Sequence, residues 1–171
     1  MRKKTDHGVP APGDSAPSFS LPDHEGRTVS LEDMPGRWLV VYFYPRDNTS
    51  GCTKEAQDFT ELLPEFRRNG AEVIGISPDA VESHRKFREK HGLEHLLLSD
   101  TGRRTIRDYG AWGAKNMYGR QTEGVVRSTF LIDPEGTIVQ VWRNVRVRSR
   151  SAGLETKHAA AVLQQLIESR C

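Results

Sequence analysis

Cysteine is scarce: Cys52 and Cys171 are the only two in 171 residues. Two are too few for a disulfide framework, and a domain of this length does not need one. No CxxC pair is present, which argues against a general dithiol oxidoreductase. Long apolar runs are missing as well; none approaches the roughly 20 residues a membrane-spanning helix requires. The basic start "MRKK" is not followed by an apolar stretch, so no secretory signal is expected and the chain reads as cytosolic, with reduced thiols. Neither sign of charge prevails. The 25 Lys and Arg are interspersed with 23 Asp and Glu, a pattern unlike that of a nucleic-acid binder. There is no internal repeat. Residues 1–12, with Pro and Gly prominent, read as a flexible lead-in, and residues 13–171 as a single soluble domain.

What is present is an alternation of strand and helix patterns. "RWLVVYFY" (37–44), "AEVIGIS" (71–77) and "STFLID" (128–133) are near-continuous apolar, β-branched runs of the kind found in buried strands. "EHLLLSD" (94–100) is a shorter fourth, and "GTIVQVWRNVRV" (136–147) alternates as a strand with one solvated face. "DPEG" (133–136) marks a hairpin between the last two strands, and "SLPDHEGRTVSLEDMPG" a hairpin or extended lead-in. Between strands, Ala56, Phe59, Leu63 and Phe66 form a helical stripe in which Pro64 is expected to kink or split the helix. "SPDAVESHRKFREKHG" opens at Ser77–Pro78 and closes at Gly92, and "TGRRTIRDYG" is a shorter helix. The last helix is read from "GLETKHAAAVLQQLIESR", with Leu154, Ala161, Leu163 and Leu166 as its face. The order β–α–β–α–β–α–β–β–α implies parallel crossovers, then an antiparallel hairpin: an α/β fold with a central mixed β-sheet flanked by helices on both faces.

The chemistry concentrates at "YFYPRDNTSGCTKEAQDF" (42–59), where a buried strand ends in a polar loop and a helix opens at a cysteine. A helix starting near Ser50 or Gly51 places Cys52 in its first turn, where free N–H groups and the dipole favour an anion. The anion here is the thiolate, the reactive form of cysteine. Thr49 brings a hydroxyl toward the sulfur and also suits the helix cap. Gly51 leaves the approach open, Pro45 fixes the loop direction with an apolar ring, and Arg127 is the cation placed to meet the sulfur across the sheet.

The spacing Pro45-x-x-x-Thr49-x-x-Cys52 resembles the active-site signature of the peroxiredoxins. With "GISPDAVESHRKF", "DYGAWGAKNMYG" and "VVRSTFLIDPEG", the chain is similar to the peroxiredoxin Q, or bacterioferritin comigratory protein, subfamily from about Gly13 to about Val147. The resemblance implies a thioredoxin-like fold and reduction of hydrogen peroxide and organic hydroperoxides by Cys52, through a sulfenic acid. It implies Thr49 and Arg127 as hydrogen-bond partners of the peroxide oxygens, Pro45 as a wall against solvent, and Glu55 as the carboxylate that steadies Arg127. It calls for no metal and no organic cofactor, with thioredoxin- or glutaredoxin-like proteins as reductants and a monomer or weak dimer as the assembly.

The chain departs from the subfamily at two positions. Many members carry a resolving cysteine five residues after the first, where this chain has Gln57, and the proline before "GCT" is Ser50. Two readings of recovery stay open: a one-cysteine enzyme reduced by an external thiol, or resolution by Cys171. A rival in a different class is a non-enzymatic thiol sensor or binding module on the same fold. Plainer roles are expected elsewhere. His91 and His95 read as a solvated loop pair, Asp47, Glu55 and Asp58 as loop and helix-face charges, and "WRNVRVRSR" (142–150) as a charged edge strand. Trp112, Met117 and Tyr118 read as core and loop packing.

Overall fold

The computed structural model describes residues 8–170. Two short strands, β1 (Ser20–Pro22) and β2 (Thr28–Ser30), pair as an antiparallel hairpin, followed by a 3-10 turn at Leu31–Asp33. The chain then runs through β3 (Trp38–Phe43), α1 (Ser50–Arg68), β4 (Ala71–Ser77), α2 (Val81–His91), β5 (Leu96–Ser99) and α3 (Arg104–Asp108). After these come β6 (Trp112–Met117), β7 (Arg120–Val125), β8 (Ser128–Ile132), β9 (Ile138–Arg143), β10 (Arg148–Ser151), β11 (Leu154–Lys157) and α4 (His158–Arg170).

The central sheet has the order β5-β4-β3-β8-β9, with β3, β4 and β5 parallel and β8 and β9 antiparallel to their neighbours. Strand alternation divides the core. Val40, Tyr42 and Tyr44 face Phe59, Leu63 and Phe66 of α1, Phe87 of α2 and Val162 and Leu166 of α4. Leu39, Val41 and Phe43 face the other side, with Phe19, Ile106 of α3, Tyr109 and Phe130. Period-two projection of a run apolar on both faces is what lets β3 be central. Gly75 is needed opposite: a Cβ there would stand 2.7 Å from Tyr42 Cζ, so the tyrosine ring occupies the missing side chain's space. The mixed sheet with helices on both faces agrees with the sequence reading.

Of the expected lead-in, residues 1–7 lie outside the described residues. Val9 packs against the second core, and Gly13 N–H donates to Ile138 O at 2.8 Å.

Several elements differ from expectation. Pro64 neither splits nor ends α1, which runs unbroken from Ser50 to Arg68. Phe59, Leu63 and Phe66 are fully buried, and that packing outweighs the local cost of proline. Helix α2 starts at Val81 with Ala80 as its cap, because Ser77 is the last residue of β4 and pairs with Ser99 on β5. Its end at Gly92, in the left-handed region (φ 61°), is as read. Leu154–Lys157 is not helical but β11, folded back on β10 through Ala152 and Gly153 at positive φ. Leu154 is 71% exposed, and the buried face of α4 is His158, Ala159, Val162 and Leu166. The alternating run from 136 stops as β9 at Arg143, an edge strand as expected, while Arg148 and Arg150 belong to β10. The stretch read as packing belongs to the hairpin β6–β7: Trp112 does pack against the second core, whereas Tyr118 is fully exposed at the turn.

Candidate active site

Strand β3 ends at Phe43, and Tyr44 and Pro45 carry the chain out of the sheet. Asn48 takes a left-handed conformation (φ 62°), which turns the loop back into α1. Thr49 occupies the N-cap position with extended backbone, but its hydroxyl makes no capping bond; it donates to the Arg46 carbonyl at 2.8 Å. With its proton committed there, the oxygen keeps lone pairs for an incoming donor. Pro45 is half-buried beside this turn. Cys52 follows in the first turn of α1 and is 1% exposed, a reduced, buried thiol.

Arg127 reaches the sulfur through sheet register. β8 runs antiparallel to β3 with Ser128 opposite Phe43, so the residue before β8 lies at the end of β3 that delivers the cysteine. Arg127 Nη2 donates to Cys52 Sγ at 3.3 Å, and Nη1 donates to Glu55 Oε1 at 2.7 Å. Its side chain is 17% exposed and that of Glu55 1%. Glu55 lies one turn beyond Cys52, so one helix supplies both groups that hold the guanidinium. Gly51 makes room: a Cβ there would lie 3.3 Å from Arg127 Nη2.

The electrostatics follow from burial. Desolvation pushes the Glu55 carboxyl up to about 7, against the pull of Arg127. Among the described residues its Oε2 has no hydrogen-bond partner. Burial works against the charge of Arg127, but Glu55 and Cys52 outweigh it and hold the guanidinium above its usual range. Tyr42 lies beneath, its phenol held neutral by burial and by the facing Glu55 and Cys52. Lys115 of β6 is a second, half-buried cation at this site that the sequence did not announce. Burial lowers it, Arg127 repels it and the Cys52 sulfur attracts it.

The structure thus brings together Cys52, Gly51, Glu55 and Arg127, with Pro45 and Thr49 in the loop that leads into α1, while Cys171 lies outside the described residues. Gln57 is exposed on α1. Other titratable groups are not where the sequence placed them. Asp47 is buried, accepting from Tyr44 Oη at 2.6 Å and Ser83 Oγ at 2.8 Å and lying 2.8 Å from His84 Nδ1. Asp58 is buried under Arg148 (2.8 and 3.2 Å), and Glu55 is no surface charge either. His95 is not solvated: it is fully buried, 2.6 Å from Tyr42 Oη and 3.0 Å from Thr60 Oγ1. Distant partners made these burials possible, and no local pattern points to them.

Comparison with known proteins gives concordant matches. Residues 12–141 match the model of the AhpC/TSA family. The chain is 42% identical over 154 residues to a peroxiredoxin Bcp of Bacillus subtilis, covering 90% of this chain and 93% of the relative. To a peroxiredoxin Bcp of Xanthomonas campestris it is 46% identical over 153 residues, covering 88% and 91%. Its fold is similar to the solved structure of the X. campestris bacterioferritin comigratory protein, described with alkyl peroxide reduction activity. There the TM-score is 0.81 at 42% identity, covering 97% of this chain and all of that one.

Proposed function

The chain belongs to the AhpC/TSA family and is a peroxiredoxin with a thioredoxin-like fold, and from that premise we propose Cys52 as its peroxidatic cysteine. The observation that carries the assignment is the guanidinium of Arg127, fixed by Glu55 and donating to the sulfur at the helix start. The cysteine sulfur, as thiolate, attacks the nearer oxygen of a hydroperoxide. The S–O bond forms as the O–O bond breaks, and the departing oxygen leaves as water or an alcohol after taking a proton. Arg127, the first-turn amides of α1 and Thr49 bind the peroxide oxygens, the first two offsetting charge on the leaving oxygen. Pro45 shields this loop from solvent, and Gly51 admits the arginine. Sulfur is oxidised to a sulfenic acid and the peroxide is reduced.

An external thiol then restores Cys52: it displaces water from the sulfenic acid to give a mixed disulfide, which a second thiol reduces. Thioredoxin- or glutaredoxin-like proteins are the reductants in this reading, and the protein acts in the cytoplasm as a monomer or weak dimer. Among the described residues, no helix is long and apolar enough to cross a membrane. Gln57, exposed on α1 where a local partner cysteine would stand, cannot form that disulfide, and this favours the one-cysteine cycle.

Cys52→Ser is expected to abolish NADPH oxidation in a coupled assay with thioredoxin, its reductase and peroxide, at an unchanged Tm. Retained turnover would overturn the assignment. A Cys52–Cys171 disulfide within one chain, seen by intact mass after one equivalent of peroxide, would overturn the one-cysteine cycle.

A further inference from the structure

Behind the loop that carries Pro45 and Thr49 lies a buried polar cluster that takes no part in the chemistry above. Its centre is Asp47, whose side chain points inward while its neighbours Arg46 and Asn48 are exposed. Tyr44 Oη donates to Oδ1 at 2.6 Å, and Ser83 Oγ donates to Oδ2 at 2.8 Å. His84 Nδ1 lies 2.8 Å from the same Oδ2, and its Nε2 is 3.0 Å from the Leu98 carbonyl on β5. The Asp47 backbone N–H donates to Asp79 Oδ2 at 2.9 Å, and Ser77 Oγ donates to that same oxygen at 2.6 Å. Both His84 and Asp47 are buried. Tyr44 just past β3, helix α2 and the β4–α2 connection therefore meet at one residue of the active-site loop, and His84 carries the link on to β5.

We propose that Asp47 and His84 are positioning residues for peroxide reduction, holding the Arg46–Thr49 turn so that the Thr49 hydroxyl is set beside Cys52. The link is short. Thr49 Oγ1 is oriented by the carbonyl of Arg46, the residue before Asp47, and Asn48 between them sits in a left-handed conformation that needs outside support. A carboxylate with three side-chain donors is a rigid anchor for such a turn. It would be a costly one to bury without them. His84 ties that carboxylate to the sheet through Leu98 O, while Tyr44 and Ser83 fix its other two contacts, so the anchor needs all three. The sequence separation explains why the anchor is rigid: the loop cannot shift without breaking contacts to α2 and β5 together.

The inference rests on Thr49 touching the peroxide, and the test separates the two ideas. Single-turnover oxidation of Cys52 by hydrogen peroxide is compared with alkylation of Cys52 by neutral iodoacetamide, which needs the thiolate but not Thr49. His84→Gln cannot bridge Asp47 to Leu98 O. It is expected to slow peroxide oxidation by roughly tenfold to a hundredfold, the scale of a small misplacement of a binding group. Alkylation should change by less than about threefold, because the helix start and Arg127 are untouched. In a Thr49→Val background, His84→Gln should cause no further loss, since the group it positions is gone. An unchanged peroxide rate in His84→Gln, a parallel fall in alkylation, or losses that multiply in the double variant would each overturn the proposal alone. A wild-type rate in Thr49→Val would overturn the Thr49 reading and this one with it. Should His84→Gln not fold, Tyr44→Phe/Ser83→Ala strips two donors from the same carboxylate and is read by the same three comparisons. Wild-type peroxide oxidation in that pair would refute the anchor.

Discussion

At position 51 a methyl group would crowd Arg127 Nη2, and that contact separates activity from stability. Alanine is the better helix former by about 1 kcal/mol, so Gly51→Ala should not lower Tm. It should nevertheless slow Cys52 oxidation by about tenfold, since a guanidinium pushed off the sulfur stabilises the leaving oxygen less. Stopped-flow rates and a thermal melt on the same sample check this; a fall in both together would contradict it. Glu55 makes a second residue-scale prediction. Its carboxyl is raised by burial from 4.5 to about 7, so the folded state binds a proton the unfolded chain has released. Its contribution to stability is complete below 4.5 and is lost as pH rises through 7. Glu55→Gln removes the titration, so wild type should lose stability relative to Glu55→Gln between pH 5 and 8 by urea unfolding. At this scale the spacing Pro45-x-x-x-Thr49-x-x-Cys52 marked the loop and the cysteine at the helix start, while Glu55 and the weight placed on Arg127 rested on the family resemblance, because no local pattern pairs α1 with a residue 72 positions away. The sequence did not disclose Asp47, Asp58 or His95 as buried. Their partners, His84, Arg148 and Tyr42, come from other elements, and a charge on paper looks alike whether solvated or paired.

Among the elements, α1 carries the site, since one helix positions Cys52 at its start and Glu55 a turn later. Pro64 lies within it, exposed, with no N–H to donate. Because the side chain packs little, Pro64→Ala should restore a hydrogen bond without opening a cavity. The expected gain is about 1–2 kcal/mol after the greater freedom of the unfolded chain is deducted. Peroxide kinetics should be unchanged, and a lower Tm would show that the proline shapes the helix. The sequence misjudged this element because the rule that proline breaks helices is local, while Phe59, Leu63 and Phe66 are held by the whole core. The reverse holds for the strands. β3, β4 and β8 were legible because both their faces are buried, so every position is apolar. β6–β7 and β10–β11 escaped notice because their ladders are largely exposed. Arg120, Gln121, Thr122 and Glu123 show no apolar alternation that would mark a strand.

Across the whole molecule, the sheet face that supports α1 and α4 contains two histidines held neutral. His95 sits between Tyr42 and Thr60, joining β3 to α1. His158 lies 2.8 Å from Thr129 Oγ1, edge-on to Phe59 and Trp142, joining α4 to β8. Burial lowers His95 to about 3, with Arg88 and Arg67 adding to it, and lowers His158 to about 4, with Arg127 adding. In the unfolded chain both titrate near 6.5, so below that value the unfolded state gains protons that the folded state refuses. Their stabilising contribution is therefore intact above 6.5 and declines as pH falls toward 3 and 4. Glu55 works in the opposite sense over part of this range, but it is one group against two. Urea unfolding at pH 7.5, 6 and 5 should show a progressive loss of stability in the wild type. His95→Asn should be less stable at pH 7.5, because it gives up the packing and the Tyr42 contact, yet its curve should stay nearly level with acid, since Glu55 then opposes His158 alone. The gap between the two proteins should then narrow at each step down. A constant gap would mean that His95 titrates alike in folded and unfolded chains, and that the layer between α1 and the sheet is wetter than its packing implies.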